Sequence, residues 1–116
     1  NPNGQLAASS TNGGTDEQID IVLPMDGVWS VFVHGWAAPD GDSDYDMFSW
    51  AVPLASGGSL SIDSAPAAAT IGAVETIQVS WAGLTTGALS DWYLGAVSHT
   101  GPSGLLGLTL VEVDNR

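Results

Sequence analysis

Four aspartates alternate in the run Pro39-Asp40-Gly41-Asp42-Ser43-Asp44-Tyr45-Asp46. Clustered carboxylates with nearby backbone carbonyls suit Ca2+, which takes about six to eight oxygen ligands. Asp40, Asp42, Asp44 and Asp46 are therefore the candidate metal ligands. Their spacing is not that of an EF-hand, because the glycine is misplaced and no Glu closes the loop. A second reading is a solvated acidic loop in which Asp44 or Asp46 fixes a turn by bonding the backbone.

Other chemistry finds less material. His34 and His99 are the two histidines, and cysteine is absent. A Ser–His–Asp arrangement needs an activated serine, a base and an orienter, and no G-x-S-x-G elbow occurs. His34 alternates with Phe32 and Trp36, so it reads as a packed ring. His99, before Thr100-Gly101-Pro102, reads as an exposed turn residue. Gly13-Gly14 and Gly57-Gly58 lack the lysine and helix of a phosphate loop. No catalytic residue is expected, and no cofactor other than Ca2+.

Aromatic side chains offer a binding surface. Five tryptophans are many for 116 residues. Trp29, Trp50 and Trp81 lie in runs that read as strand interior, so core packing is expected of them. Trp36, Trp92 and Tyr93 stand beside loops and are the candidates for a face that grips a protein or a polysaccharide.

These residues must be carried by strands. No stretch longer than about ten residues keeps a 3.6 period. Gln18–Leu23 alternates, with Ile19, Ile21 and Leu23 on one face. Pro24-Met25-Asp26-Gly27 reads as a turn. Val28–Trp36 is apolar on both faces and reads as a central strand. Asp44–Val52, Ser59–Asp63, Glu75–Trp81, Trp92–Ser98 and Leu106–Val113 complete seven strands. The Ala-rich stretch 65–71 reads as a loop, since Pro66 and Gly72 break it. The expected fold class is all-β, an antiparallel β-sandwich with no significant helix. Composition shifts at Ala55-Ser56-Gly57-Gly58, which divides the chain into halves 1–55 and 56–116; these either share one core or form two subdomains.

Charge narrows the partners. Thirteen acidic residues face a single basic one, giving a net charge of −12. Nothing could neutralise phosphates, which excludes a general nucleic-acid binder, and the same charge opposes docking on anionic membranes. No apolar run reaches the roughly 20 residues needed to span a bilayer. Without cysteine, no disulfide framework or thiolate zinc site can form.

Val28-Trp29-Ser30-Val31-Phe32-Val33-His34-Gly35-Trp36, followed by Asp44-Tyr45-Asp46-Met47-Phe48-Ser49-Trp50, resembles the core of bacterial pre-peptidase C-terminal domains. Ile77-Gln78-Val79-Ser80-Trp81-Ala82-Gly83-Leu84, Tyr93-Leu94-Gly95-Ala96-Val97 and Gly107-Leu108-Thr109-Leu110-Val111-Glu112-Val113 extend the likeness. The run is similar to the C-terminal accessory regions of secreted subtilisin-like serine proteases. The resemblance implies a jelly-roll half over 1–55 and an immunoglobulin- or fibronectin type III-like half over 56–116. It implies a secreted parent polypeptide with an upstream protease catalytic domain as partner, and a role in stability, secretion or attachment to substrate. Jelly-roll domains on some of these proteases bind calcium, which favours the Ca2+ reading of the aspartate loop. The family places a further strand ahead of Asn1-Pro2-Asn3-Gly4, a turn sequence that normally follows something. The chain therefore reads as a fragment whose open sheet edge would pair with a second copy or leave it marginally stable. The alternative is a carbohydrate- or protein-binding β-sandwich module of an extracellular surface protein.

Overall fold

The computed structural model describes residues 1–37 and 41–116. The chain divides into two compact units, Asn1–Asp46 and Met47–Arg116. All described secondary structure is β and lies in the second unit, as two antiparallel sheets; the described residues contain no helix. Accordingly, among those residues no helix is long and apolar enough to cross a membrane.

In the second unit, β1 (Leu60–Ser64) pairs with β2 (Gln78–Trp81). Leu60 faces Trp81 and Ile62 faces Val79, and the register slips between Ile62 and Ser64. That bulge turns Asp63 to accept a hydrogen bond from Ser80 Oγ at 2.8 Å, while Ser64 Oγ donates to Gln78 Oε1 at 2.8 Å. The segment 65–77, Ala-rich over its first half, joins these strands without helix.

The second sheet is the long hairpin of β3 (Trp92–Gly101) and β4 (Gly104–Asp114). Its turn is Pro102-Ser103. Proline fixes φ near −65°, which excludes the primed turns whose twist matches a two-residue hairpin. The mismatch is absorbed nearby. Gly104 takes φ +110°, and the register shifts so that Thr100 faces Leu105 while His99 faces Gly107. Leu106 is the extra residue of this bulge.

Period-two alternation sorts the hairpin into two faces. Tyr93, Gly95, Val97 and His99 share one face, and Leu60 of β1 lies on Gly95. Val97 on that face is only 5% exposed. Trp92, Leu94, Glu112 and Asp114 occupy the other face.

The first unit is held by turns. Asn1 Oδ1 accepts from the backbone amides of Asn3 and Gln5, at 3.1 and 3.0 Å. Asn12 Nδ2 donates to Asp16 O, the Asn12 amide donates to Glu17 Oε1 at 3.0 Å, and Ser10 Oγ donates to Glu17 Oε2. Within the expected turn 24–27 the chain bends at Asp26 and Gly27; Trp29 Nε1 donates to Met25 O at 3.0 Å, and Gly27 has φ +131° against the ring of Pro2.

The expected strands Gln18–Leu23, Val28–Trp36 and Asp44–Val52 form no ladder. Alternation records which face a strand would bury, but a strand also needs a partner for its amides and carbonyls. Unpaired, these runs expose their apolar side chains, with Phe32 and Trp36 both 90% exposed.

Candidate functional site

The principal cluster of interacting side chains stands at the end of the hairpin where β3 begins and β4 finishes. Trp92 faces Asp114 across the ladder, and Glu112 lies diagonally on the same face. Trp92 Nε1 donates to Glu112 Oε1 at 2.5 Å. Phe48 and Trp50 pack onto Trp92 from the segment before β1. Trp50 meets Trp92 nearly edge-on at 4.9 Å and 81°, and Phe48 does so at 4.8 Å and 68°. Phe48 and Trp50 are close to parallel, 6.0 Å apart at 15°. Trp50 Nε1 donates to Trp92 O at 2.9 Å. Edge-to-face contacts of this kind follow the ring quadrupole, and the two indole hydrogen bonds fix the rings by their edges and leave their faces for contact.

Arg116 uses one of those faces. Its guanidinium carbon lies 3.9 Å from the Trp92 ring centroid and 5.2 Å from that of Phe48. The guanidinium also forks onto Asp114, Nε to Oδ1 at 2.9 Å and Nη2 to Oδ2 at 2.8 Å. These bonds hold the Asp114 carboxyl down at about 2, against an ordinary 3.8.

A second cluster lies on the opposite face, at the same end. Asp91 is 5% exposed. Its carboxylate accepts from Thr85 Oγ1, from the Ala88 amide at 2.8 Å and from Tyr93 Oη at 3.1 Å. The Thr85 bond first, then that of Ala88, lowers the Asp91 pKa; burial opposes this, and Tyr93 adds to the lowering. Asn115 fastens the same loop to the exit of β4. Its carbonyl accepts from Gly87, its amide donates to Asp91 O, and Nδ2 donates to Thr85 O. These bonds tie the 85–91 loop to itself and to the exit of β4, so the cluster is a loop clamp.

The expected site residues are dispersed. Trp92 and Tyr93 are neighbours on β3 and therefore point to opposite faces, one in the aromatic group and the other in the clamp. Trp36 belongs to the first unit, where its ring meets His34 edge-on at 5.9 Å. Of the candidate metal ligands, Asp40 lies outside the described residues. Asp44 lines a depression of about 270 Å3 with Val33, Gly35 and Tyr45. Among the described residues no three His, Asp or Glu side chains gather as a metal cage.

Several expectations change. Trp50 and Trp81, read as core, are 39% and 48% exposed. His34, read as packed, is exposed. His99, read as a turn residue, stands inside β3, where its Nε2 is 2.8 Å from Thr109 Oγ1. Arg116, Asp91 and Thr85 had no assigned role. Glu112, Asp114 and Arg116 at period two, opposite a tryptophan that opens the partner strand, was the available signal for the first. An aspartate just ahead of a strand, with threonine in the preceding turn, was the signal for the clamp. No family model, no curated protein and no solved structure matches the chain.

Proposed function

We propose that this chain is a non-catalytic β-sandwich accessory region of a secreted subtilisin-like serine protease, which aids the enzyme's stability or secretion or holds it near its substrate. One observation carries the reading. The motif pieces Tyr93–Val97 and Gly107–Val113 that resemble the family fall on β3 and β4 and pair with each other. Within the same unit Leu60 of β1 meets Gly95 of β3, a sheet-to-sheet contact that supports a sandwich in the second half. Exposed apolar residues such as Val28, Val31 and Phe32 support a first half completed by other parts of the parent polypeptide. The chain's acidity suits an extracellular setting, where like charge keeps a protein in solution.

The test is made in the parent protease, with and without residues 1–116. Removal is expected to lower secreted yield or melting temperature and to leave kcat on a small chromogenic peptide unchanged. A tenfold fall in that kcat, with the enzyme still folded, overturns the reading.

A second reading, a carbohydrate- or protein-binding module of a surface protein, is favoured by the Phe48–Trp50–Trp92 group. Retention on a polysaccharide or protein column that disappears with Trp92→Ala would select it.

A further inference from the structure

The chain's 116 residues include one Lys or Arg side chain, and it is Arg116. Its guanidinium is met by an aromatic face at 3.9 Å, a second ring at 5.2 Å and a bidentate carboxylate. A planar cation gains from all three at once, because it can stack on a ring while its edge donates a parallel pair of hydrogen bonds. An ammonium can use the ring and the charge but not the fork. The site is also built ahead of its occupant. Glu112 holds the Trp92 indole edge and Trp50 is tied to the Trp92 carbonyl, so the two indoles keep their places through bonds that do not involve Arg116. The surrounding charge of −12 draws cations toward it.

We infer that Phe48, Trp92 and Asp114 form a guanidinium-binding site, with Arg116 as its internal occupant, and that the site accepts an arginine-type side chain from another molecule when Arg116 swings away. Arg116 lies two residues beyond Asp114, past the end of β4, so its side chain can leave without breaking the β3–β4 ladder. The internal occupant makes the site self-limiting: an outside guanidinium must compete with a group held permanently nearby.

The experiment follows the indole N–H resonances of Trp50 and Trp92 by NMR during titration with agmatine, which carries a guanidinium on a short alkyl chain, at constant ionic strength. In Arg116→Ala both resonances are expected to shift saturably. In the intact chain the same shift is expected to need about tenfold more agmatine, since only the fraction of molecules with Arg116 displaced can bind. Adding Asp114→Asn to Arg116→Ala is expected to weaken binding about tenfold while the hairpin resonances stay dispersed, and butylamine is expected to bind more weakly than agmatine. No saturable shift in Arg116→Ala overturns the inference. So does equal half-saturation with and without Arg116, or an unchanged titration in the Asp114→Asn double variant.

Discussion

Leu60 of β1 rests on Gly95 of β3: a Cβ at position 95 would stand 2.9 Å from Leu60 Cδ2 and 3.6 Å from Leu60 Cβ. The contact joins two sheets that share no ladder. Gly95→Ala must push the tip of Leu60 aside, at an expected cost of about 1 kcal/mol. Leu60→Ala removes the obstacle along with its own packing. In the double variant the alanine at 95 should cost nothing further, so the coupling measured by urea unfolding is expected to exceed ~0.5 kcal/mol. Simple additivity would mean that the two residues do not touch.

The Asp91 clamp predicts a graded series. Asp91→Asn keeps the shape but turns an amide toward a ring of donors, and should lower the melting temperature by several degrees. Tyr93→Phe removes one of the donors and should lower it less. Thr85→Val removes the bond with the largest pull on Asp91 and should fall between them. Differential scanning fluorimetry orders the three, and a Tyr93→Phe variant less stable than Asp91→Asn would contradict the clamp.

Acid should loosen this same end of the hairpin. Asp91 and Asp114 both have folded pKa values below the ordinary 3.8, with Asp114 at about 2. A lowered carboxylate adds stability that is fully present above its unfolded pKa and is lost as pH falls through the folded one. Stability of the second unit is therefore expected to be flat above about pH 5 in respect of these two groups and to fall between about pH 4 and pH 2. Urea midpoints measured across that range check it. Asp114→Asn should flatten part of the slope, as should Arg116→Ala, because the guanidinium is the chief cause of the Asp114 shift.

Gly27 tests the first unit. Its φ of +131° suits only glycine, and a Cβ there would come within 2.8 Å of Pro2. Gly27→Ala should destabilise that turn by about 1–2 kcal/mol. Pro2→Gly added to it relieves the collision but not the backbone, so partial recovery is expected. Amide exchange at Gly4 and Gln5, which bond back to Asn1, gives the local readout.

The hairpin was legible in the sequence and the first half was not, for one physical reason. Trp92–Ser98 and Leu106–Val113 lie close along the chain, so the pattern that marks each strand also brings its partner into reach. The structure lengthens both at the turn and adds Asp114 at the far end of β4. Val28–Trp36 shows as strong a pattern, but alternation carries no information about a distant partner, and no ladder forms there. The same limit hid the guanidinium contact. Arg116 was conspicuous as the one Lys or Arg side chain, yet its seat on Trp92 depends on the register that sets Trp92 against Asp114. A position beside a loop does not decide a face: the pleat sends the neighbours Trp92 and Tyr93 apart.

The tight turn at Pro102-Ser103 also sets a sequence of events in time. Hairpins close in about 1–10 μs when their strands adjoin, and Gly101 and Gly104 are already opposite once that turn forms. β1 and β2 must instead bring Ser64 and Gln78 together across an Ala-rich loop, which costs more entropy before any bond rewards it. β3 and β4 should therefore be in place first, presenting Gly95 as a ready seat, and arrival of Leu60 would then be the late step. Gly95→Ala would on this view speed unfolding and leave the folding rate nearly untouched.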